Sequence, residues 1–200
     1  MDVLIGCEYS GVVREAFRAK GHDAWSCDLL PADDGSEHHI QGDVMEVITY
    51  QNWDLVILHP PCTALTLSGN RWYGAGKPKH QERIDSARWT RLLWENAKEL
   101  SEKVALENPV GVLPKMVDMH PTQLIHPWMF GEEASKKTGL WLHNLPPLEP
   151  TDVVGQGEFH TTKSGRRLPK WYNLPPSEDR WKIRSKTFQG IADAMASQWG

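Results

Sequence analysis

Four short apolar runs set the frame of this chain: VLIG at residues 3–6, DAWSCDL at 23–29, WDLVILH at 53–59 and VALEN at 104–108. The third is apolar without interruption, as suits a parallel strand covered on both faces. Between the runs the spacing turns helical. Ser10 offers an N-cap, Val12, Val13, Ala16 and Phe17 recur at helical intervals as far as Lys20, and Gly21 supplies a stop. Asp43 opens a short turn over VMEVI. Residues 83–102 carry a long amphipathic pattern of Ile84, Ala87, Leu92, Leu93, Ala97 and Leu100. This alternation predicts an α/β fold with a doubly wound, mostly parallel sheet and helices on both faces. Residues 30–42 read as a polar loop holding His38 and His39, and residues 60–82 as a long loop with glycine hinges.

Beyond residue 110 the pattern changes. QLIH (123–126) and TGLWLHNL (138–145) look like strands of a separate, antiparallel pair. Residues 146–182 are rich in Pro, Gly and charge and read as mostly irregular. SKTFQGIADAMASQW then reads as a helix with Ile191, Met195 and Trp199 on one face. The expected organisation is a core over 1–145, a small basic segment over 146–185, and a C-terminal helix over 186–200 that packs back on the core.

Composition narrows the class. With 200 residues, 40% hydrophobic and 24% charged, the chain can bury a real core as one domain. Three cysteines without CxxC spacing fit neither a disulfide scaffold nor a zinc ribbon, and no HExxH or Cys/His cluster organises the nine histidines, so no metal is expected. No apolar run approaches a membrane span, and the opening MDVLIGCEYSG lacks a basic stretch before its apolar run. A cytoplasmic protein, of a bacterium or a phage-infected host cell, is therefore expected. The net charge of −4 hides an asymmetry: the segment from Lys163 to Lys186 is +6, leaving −10 for the rest. That segment, with Arg166 and Arg167 in it, is either a solvated loop or a patch for phosphates. Ten tryptophans include Trp72, Trp171 and Trp181 in polar surroundings, where bases can stack.

The ends of the apolar runs carry the chemistry. Gly6 and Gly11 have phosphate-loop spacing, but Val12 and Val13 stand where Lys and Ser/Thr are needed, so a nucleotide triphosphatase is excluded. What remains is a tight turn at the C-terminal end of a first strand, where open α/β sheets bind ligands. Asp28 ends the second run about 20 residues after that turn, where a carboxylate accepts ribose hydroxyls. Asp43 stands where a carboxylate can accept from an adenine amino group. The third run ends in His59-Pro60-Pro61-Cys62, which fixes a thiol at the sheet edge. The fourth ends in Glu107-Asn108-Pro109, with a carboxyl beside the same edge.

In that order, IGCEYSG, CDL, GDV, HPPCT and ENP resemble the DNA cytosine-5 methyltransferase family, and small phage-type members in particular. The likeness covers residues 3–110 well and FQGIADAM more loosely. It implies a fold of the class I S-adenosylmethionine-dependent methyltransferase type, with S-adenosyl-L-methionine held by Gly6, Cys7, Glu8, Tyr9, Ser10, Gly11, Asp28, Leu29, Asp43, Val44, Pro60, Gln189, Gly190 and Ile191. It implies catalysis by Cys62 and Glu107, with Pro61 and Asn108 supporting them. The glycine turn departs from the family's Phe-x-Gly-x-Gly form, and the family's Gln-x-Arg-x-Arg element is missing; Lys136 or Lys137 stands near its place.

In that chemistry a thiolate adds to cytosine C6 and makes C5 nucleophilic, while a carboxylic acid relieves the charge at N3. The target base of a duplex must be flipped out. The expected partner is DNA, single- or double-stranded, with Arg71, Lys77, Lys79, Lys136, Lys137, Arg166 and Arg167 as substrate contacts. Loop 63–82 is expected to close over the base. Only about 40 residues separate the SKKTGLWL segment from the C-terminal helix, so specificity should be short or relaxed. Three alternatives stay open: the same reaction on a free nucleotide such as dCMP, amino-group methylation, and a catalytically degenerate binding protein.

Overall fold

The computed structural model describes residues 1–162, 165–170 and 185–200. Lys163, Trp171, Glu178, Asp179, Arg180, Trp181, Lys182 and Arg184, which entered the charge and stacking arguments, lie outside the described residues. Seven strands form one sheet: β1 (Asp2–Gly6), β2 (Asp23–Asp28), β3 (His39–Gln41), β4 (Leu55–Leu58), β5 (Lys103–Pro109), β6 (Gln123–Ile125) and β7 (Thr138–His143). Their spatial order is β3-β2-β1-β4-β5-β7-β6, and β7 alone runs against its neighbours. This is the doubly wound, mostly parallel sheet with helices on both faces that the alternation of runs predicts.

The layers follow from strand parity. Val3 and Ile5 of β1, Leu55 and Ile57 of β4 and Ala105 of β5 pack under helices α1 (Val12–Ala19) and α6 (Gln189–Trp199). Leu4, Val56, Leu58, Val104 and Leu106 face the other way, toward α2 (Val44–Val47), α4 (His80–Leu100) and α5 (Leu113–Val117). Ile191, Met195 and Trp199 are buried against α1, as their spacing predicts.

Several local expectations give way to the structure. β3 lies inside the predicted loop 30–42. His39 is half-buried and held at both ring nitrogens: its Nδ1 pairs with the Ser26 hydroxyl at 2.8 Å and its Nε2 with the Leu30 carbonyl at 2.9 Å, tying the edge strand down. β6 and β7 are not a separate pair but extend the main sheet. The predicted loop 60–82 contains a 3-10 turn at Leu67–Gly69 and a short helix α3 (Asn70–Tyr73). Helix α4 starts at His80 and buries Ala87, Leu93 and Ala97 as expected, but Leu92 is 53% and Leu100 43% exposed, while Arg83 and Thr90 are buried. Both buried polar residues are satisfied, Thr90 by donating to the Ser86 carbonyl at 2.8 Å, so apolar counting alone misses them. The predicted irregular stretch holds an antiparallel hairpin of β8 (Phe159–Thr161) and β9 (Arg167–Pro169).

Candidate active site

β1 and β4 are neighbours in the sheet, yet the chain leaves β1 for β2 on one side and continues from β4 to β5 on the other. Such a switch point opens a crevice at the C-terminal strand ends. The ends of β1, β2, β4 and β5 all lie there. Because β7 is reversed, its beginning lies there too: Thr138 faces Pro109 in the ladder.

The turn after β1 is tightly built. Cys7 takes a left-handed backbone at φ 61° and Gly11 another at φ 73°. A Cβ at Gly11 would meet the Arg14 guanidinium, so both φ and space require glycine here. Ser10 is not the cap of α1. Glu8 takes that role, its carboxylate accepting from the Val13 and Arg14 amides at 2.7 and 3.2 Å and from the Ser10 hydroxyl at 3.3 Å. Glu8 is buried, so its charge is spent on the helix terminus. The Tyr9 and Ser185 hydroxyls are hydrogen-bonded at 2.9 Å, joining this turn to the start of the C-terminal segment.

Around the turn two carboxylates converge. Asp28 accepts from the Leu30 amide at 2.9 Å and Asp43 caps α2 through the Met45 amide at 2.9 Å. Burial first, then Asp28, Cys27 and Asp43, pushes the Cys7 thiol well above its ordinary value. The Cys27 thiol is pushed up to about 12 by burial and the same two acids. Both thiols are thus held protonated more firmly than a free thiol, which disfavours either as a nucleophile. A half-buried Asp28 and an exposed Asp43 beside an exposed Leu29 form a rim of acceptors next to an apolar surface. That rim suits a ribose and an adenine ring. Val44 and Ile191 are core residues, and Val44 fills the space beside Gly6 that a side chain would need. Gln189 pairs with Asp193, and the Gly190 amide donates to Glu132 at 3.1 Å.

The thiol sits on a braced turn. The His59 amide donates to the Gly6 carbonyl at 2.9 Å, continuing the sheet one residue beyond β4. After Pro60 and Pro61, the Cys62 carbonyl accepts from the Leu65 and Thr66 amides at 2.9 and 3.0 Å. Buried Asn108 donates from Nδ2 to the Pro60 carbonyl at 2.9 Å, so the ENP end of β5 clamps the PPC end of β4. Gly111 seals the clamp: a Cβ there would stand 2.1 Å from the Leu65 carbonyl oxygen, and the Val112 amide donates to that oxygen at 2.9 Å. Arg83 then fastens the loop that follows, donating to the Ala64 carbonyl at 2.6 Å, Asn70 Oδ1 at 2.6 Å and the Thr66 carbonyl at 3.0 Å. The first part of the predicted closing loop is therefore bound down in this structure. An open depression of about 240 Å³ adjoins it, lined by Pro61, Asp85, Ser86, Trp89 and Thr90. Four of these residues belong to α4, and Pro61 belongs to the turn that follows β4.

Glu107 is the electrostatic centre. Its side chain is 14% exposed, and His59 Nδ1 lies 3.3 Å from Oε2. Burial is the largest influence and raises its proton affinity. Hydrogen bonding to His59, the Lys136 charge, the His59 charge and a hydrogen bond from Thr138 together outweigh it and hold the carboxyl below its usual range. Lys136 is buried, with its Nζ 5.8 Å from the Phe188 ring centroid, whereas Lys137 is exposed. Sequence reasoning missed His59, Thr138, Arg83 and Gly111. His59 was in view immediately before Pro-Pro-Cys. Gly111 follows ENPV closely enough to have been weighed with it.

The remaining substrate candidates lie outward. Arg71 and Trp72 stack at 5.4 Å, and Trp72 is 54% exposed. Lys77 and Lys79 are exposed, and Lys79 is 3.4 Å from Glu82. On the hairpin, Arg166 and Arg167 are exposed, and Arg167 stacks on Phe159 at 4.4 Å. Among the described residues no group of three His, Cys, Asp or Glu side chains is placed to hold a metal ion, and no helix is long and apolar enough to cross a membrane.

No family model matches the chain, and no curated protein does. Among solved structures it is similar to a mutant of Spodoptera frugiperda DNMT2, at 15% identity and a TM-score of 0.45, over 77% of this chain and 54% of that one. It is also similar to WbdD in complex with a kinase inhibitor, at 16% identity and a TM-score of 0.42, over 84% of this chain and 41% of that one. The chain thus spans about half, or less, of the length of these structures.

Proposed function

We propose that this chain is a methyltransferase that uses S-adenosyl-L-methionine to methylate C5 of cytosine in DNA, with Cys62 as the nucleophile. The observation that supports this reading most is the clamp of β4 on β5. It sets a thiol-bearing turn and a carboxyl with a buried cation at one sheet edge, beside a turn rimmed by two acids.

Gly6 to Gly11 would line the cofactor site, Asp28 would accept the ribose hydroxyls, and Asp43 would accept from the adenine amino group, with Leu29 and Pro60 as apolar walls. Bound there, S-adenosyl-L-methionine supplies an electrophilic methyl group. Cys62 adds to C6 as a thiolate, forming an S–C6 bond and moving the electron pair of the C5–C6 double bond toward N3. Glu107 gives a proton to N3 and becomes the carboxylate that His59, Lys136 and Thr138 favour. C5, so activated, would take the methyl group; a base would then remove the C5 proton, N3 would return its proton to Glu107, the C5–C6 double bond would re-form and Cys62 would leave as the thiolate. Lys136 would also face the cytosine carbonyl. Arg71, Lys77, Lys79, Lys137, Arg166 and Arg167 would meet phosphates, and exposed Trp72 offers a stacking surface.

The test is incubation with S-adenosyl-L-methionine and an oligonucleotide carrying 5-fluorocytosine. Fluorine at C5 is not lost as a proton, so a covalent complex should persist in the wild type and be absent in Cys62→Ser. Failure of both adduct and methyl transfer, with the cofactor bound, would sink the proposal. A second reading, the same chemistry on dCMP, is favoured by the small extent of chain between β7 and α6. Parallel assays on dCMP and on DNA at varied salt separate the two, because polymer binding weakens steeply with salt.

A further inference from the structure

His59 precedes the Pro-Pro-Cys turn and belongs to none of the roles assigned above beyond its contact with Glu107. Its side chain is 9% exposed. Nδ1 lies 3.3 Å from Glu107 Oε2. Nε2 is buried and has no hydrogen-bond partner among the described residues. A carboxylate only accepts, so the 3.3 Å contact requires hydrogen on Nδ1. His59 therefore commits its Nδ1–H to Glu107.

The pairing is enforced by backbone. Leu58 pairs with Leu106 in the β4–β5 ladder, which carries His59 opposite Glu107 and Pro60 opposite Asn108. The Asn108-to-Pro60 hydrogen bond and the His59-to-Gly6 backbone bond lock that register on both sides. The charged group facing the pair is Lys136, ahead of β7, and Thr138 adds a hydroxyl.

We infer that His59 is a positioning residue of this site, which orients Glu107 through Nδ1–H and stabilises the carboxylate left behind when Glu107 protonates the pyrimidine N3. The inference rests on the cytosine reading of the site. The step balances simply: the carboxyl O–H bond breaks, an N3–H bond forms, and the negative charge moves from the ring onto Glu107, where Nδ1–H and Lys136 receive it. No proton leaves His59. At rest the carboxyl is ionised, so one proton is taken up from solvent as cytosine N3 and Glu107 come together.

The experiment compares pH profiles of methyl transfer for the wild type, His59→Phe and His59→Asn, with cofactor affinity measured alongside. Without the donor Glu107 becomes a weaker acid. His59→Phe should lower the plateau rate by about tenfold to a hundredfold and move the alkaline limb to higher pH, because the carboxyl holds its proton longer. His59→Asn keeps an N–H at the same reach and should recover part of the rate and return the limb toward the wild-type position. Cofactor affinity should stay within a few-fold in both. A carbon NMR titration of the Glu107 carboxyl in the free protein reads the pair without turnover, and its midpoint should rise in His59→Phe. Should that variant fail to fold, His59→Ala serves the same comparison. A limb and midpoint unmoved in either variant overturn the role of His59 while the wild type still methylates cytosine. A wild type that methylates no cytosine substrate and traps no 5-fluorocytosine overturns the function, and this inference with it.

Discussion

At the scale of single residues, Glu107 and Gly111 make the sharpest demands. The Glu107 carboxyl is held below its ordinary value of 4.5. Folding therefore gains stability from it above the unfolded value and loses that gain as pH falls through the folded one. Denaturant unfolding of wild type and Glu107→Gln should show its widest stability gap at neutral pH, narrowing to nothing in acid. A gap that widens in acid would reverse the assignment. At Gly111 the obstacle is steric. A methyl group 2.1 Å from the Leu65 oxygen must push the ENPVG segment away from the PPC turn. Gly111→Ala should cost about 1–3 kcal/mol in urea unfolding and remove the 5-fluorocytosine adduct. HPPC and ENP could be read from the sequence because each is a contiguous motif closing an apolar run. The meeting of His59 with Glu107 could not, since 48 positions separate them and only the β4–β5 register brings them level.

At the scale of elements, buried charges hold the irregular parts in place. Arg83 makes three hydrogen bonds to the chain between Ala64 and Asn70 and is 4% exposed. Arg83→Leu leaves three acceptors facing an apolar group and should cost about 3 kcal/mol. Hydrogen exchange should speed up over residues 64–73 and remain slow in the second half of α4. Uniform acceleration would show that Arg83 supports the whole fold instead. Glu8 plays the matching part at α1, where Glu8→Ala should lose about 1–2 kcal/mol in thermal or urea unfolding and Ser10→Ala much less. Both were hidden for the same reason. Helical periodicity marks which residues are apolar, and it is silent about a carboxylate that turns back on its own helix or a guanidinium that reaches across to a loop. β3 was hidden because three residues between polar neighbours leave no alternation to read.

For the whole molecule, the visible part of the sequence was its order. Runs that alternate with helices force a parallel sheet, and the parallel sheet gathers the strand ends onto one edge. The antiparallel pairing of β6 with β7 was in view, but their joining the main sheet was not, because no local pattern distinguishes a strand that joins it from one that pairs apart. Charge acts at this scale too. Arg166 and Arg167 are exposed on the hairpin, so replacing both by Ser should weaken oligonucleotide binding. It should also reduce the slope of log K against log salt by up to about 2 for duplex DNA. An unchanged slope would remove the hairpin from the binding surface.

The reversed strand also decides where the tail of the chain emerges. β7 ends at the edge remote from Glu107, with His143 opposite Val104. From there the backbone climbs back beside residues 128–135: Val154 donates to the Trp128 carbonyl at 2.9 Å, and Ser135 donates to the Gln156 carbonyl at 2.7 Å. The hairpin accordingly sprouts next to Ser135, a single residue from Lys136, hung on a return stem that forms no rung of the sheet. Its tip is a grafting point. Sequence spliced in there would alter what the protein grips and how far it reaches, and would leave every pairing beneath the thiol where it was.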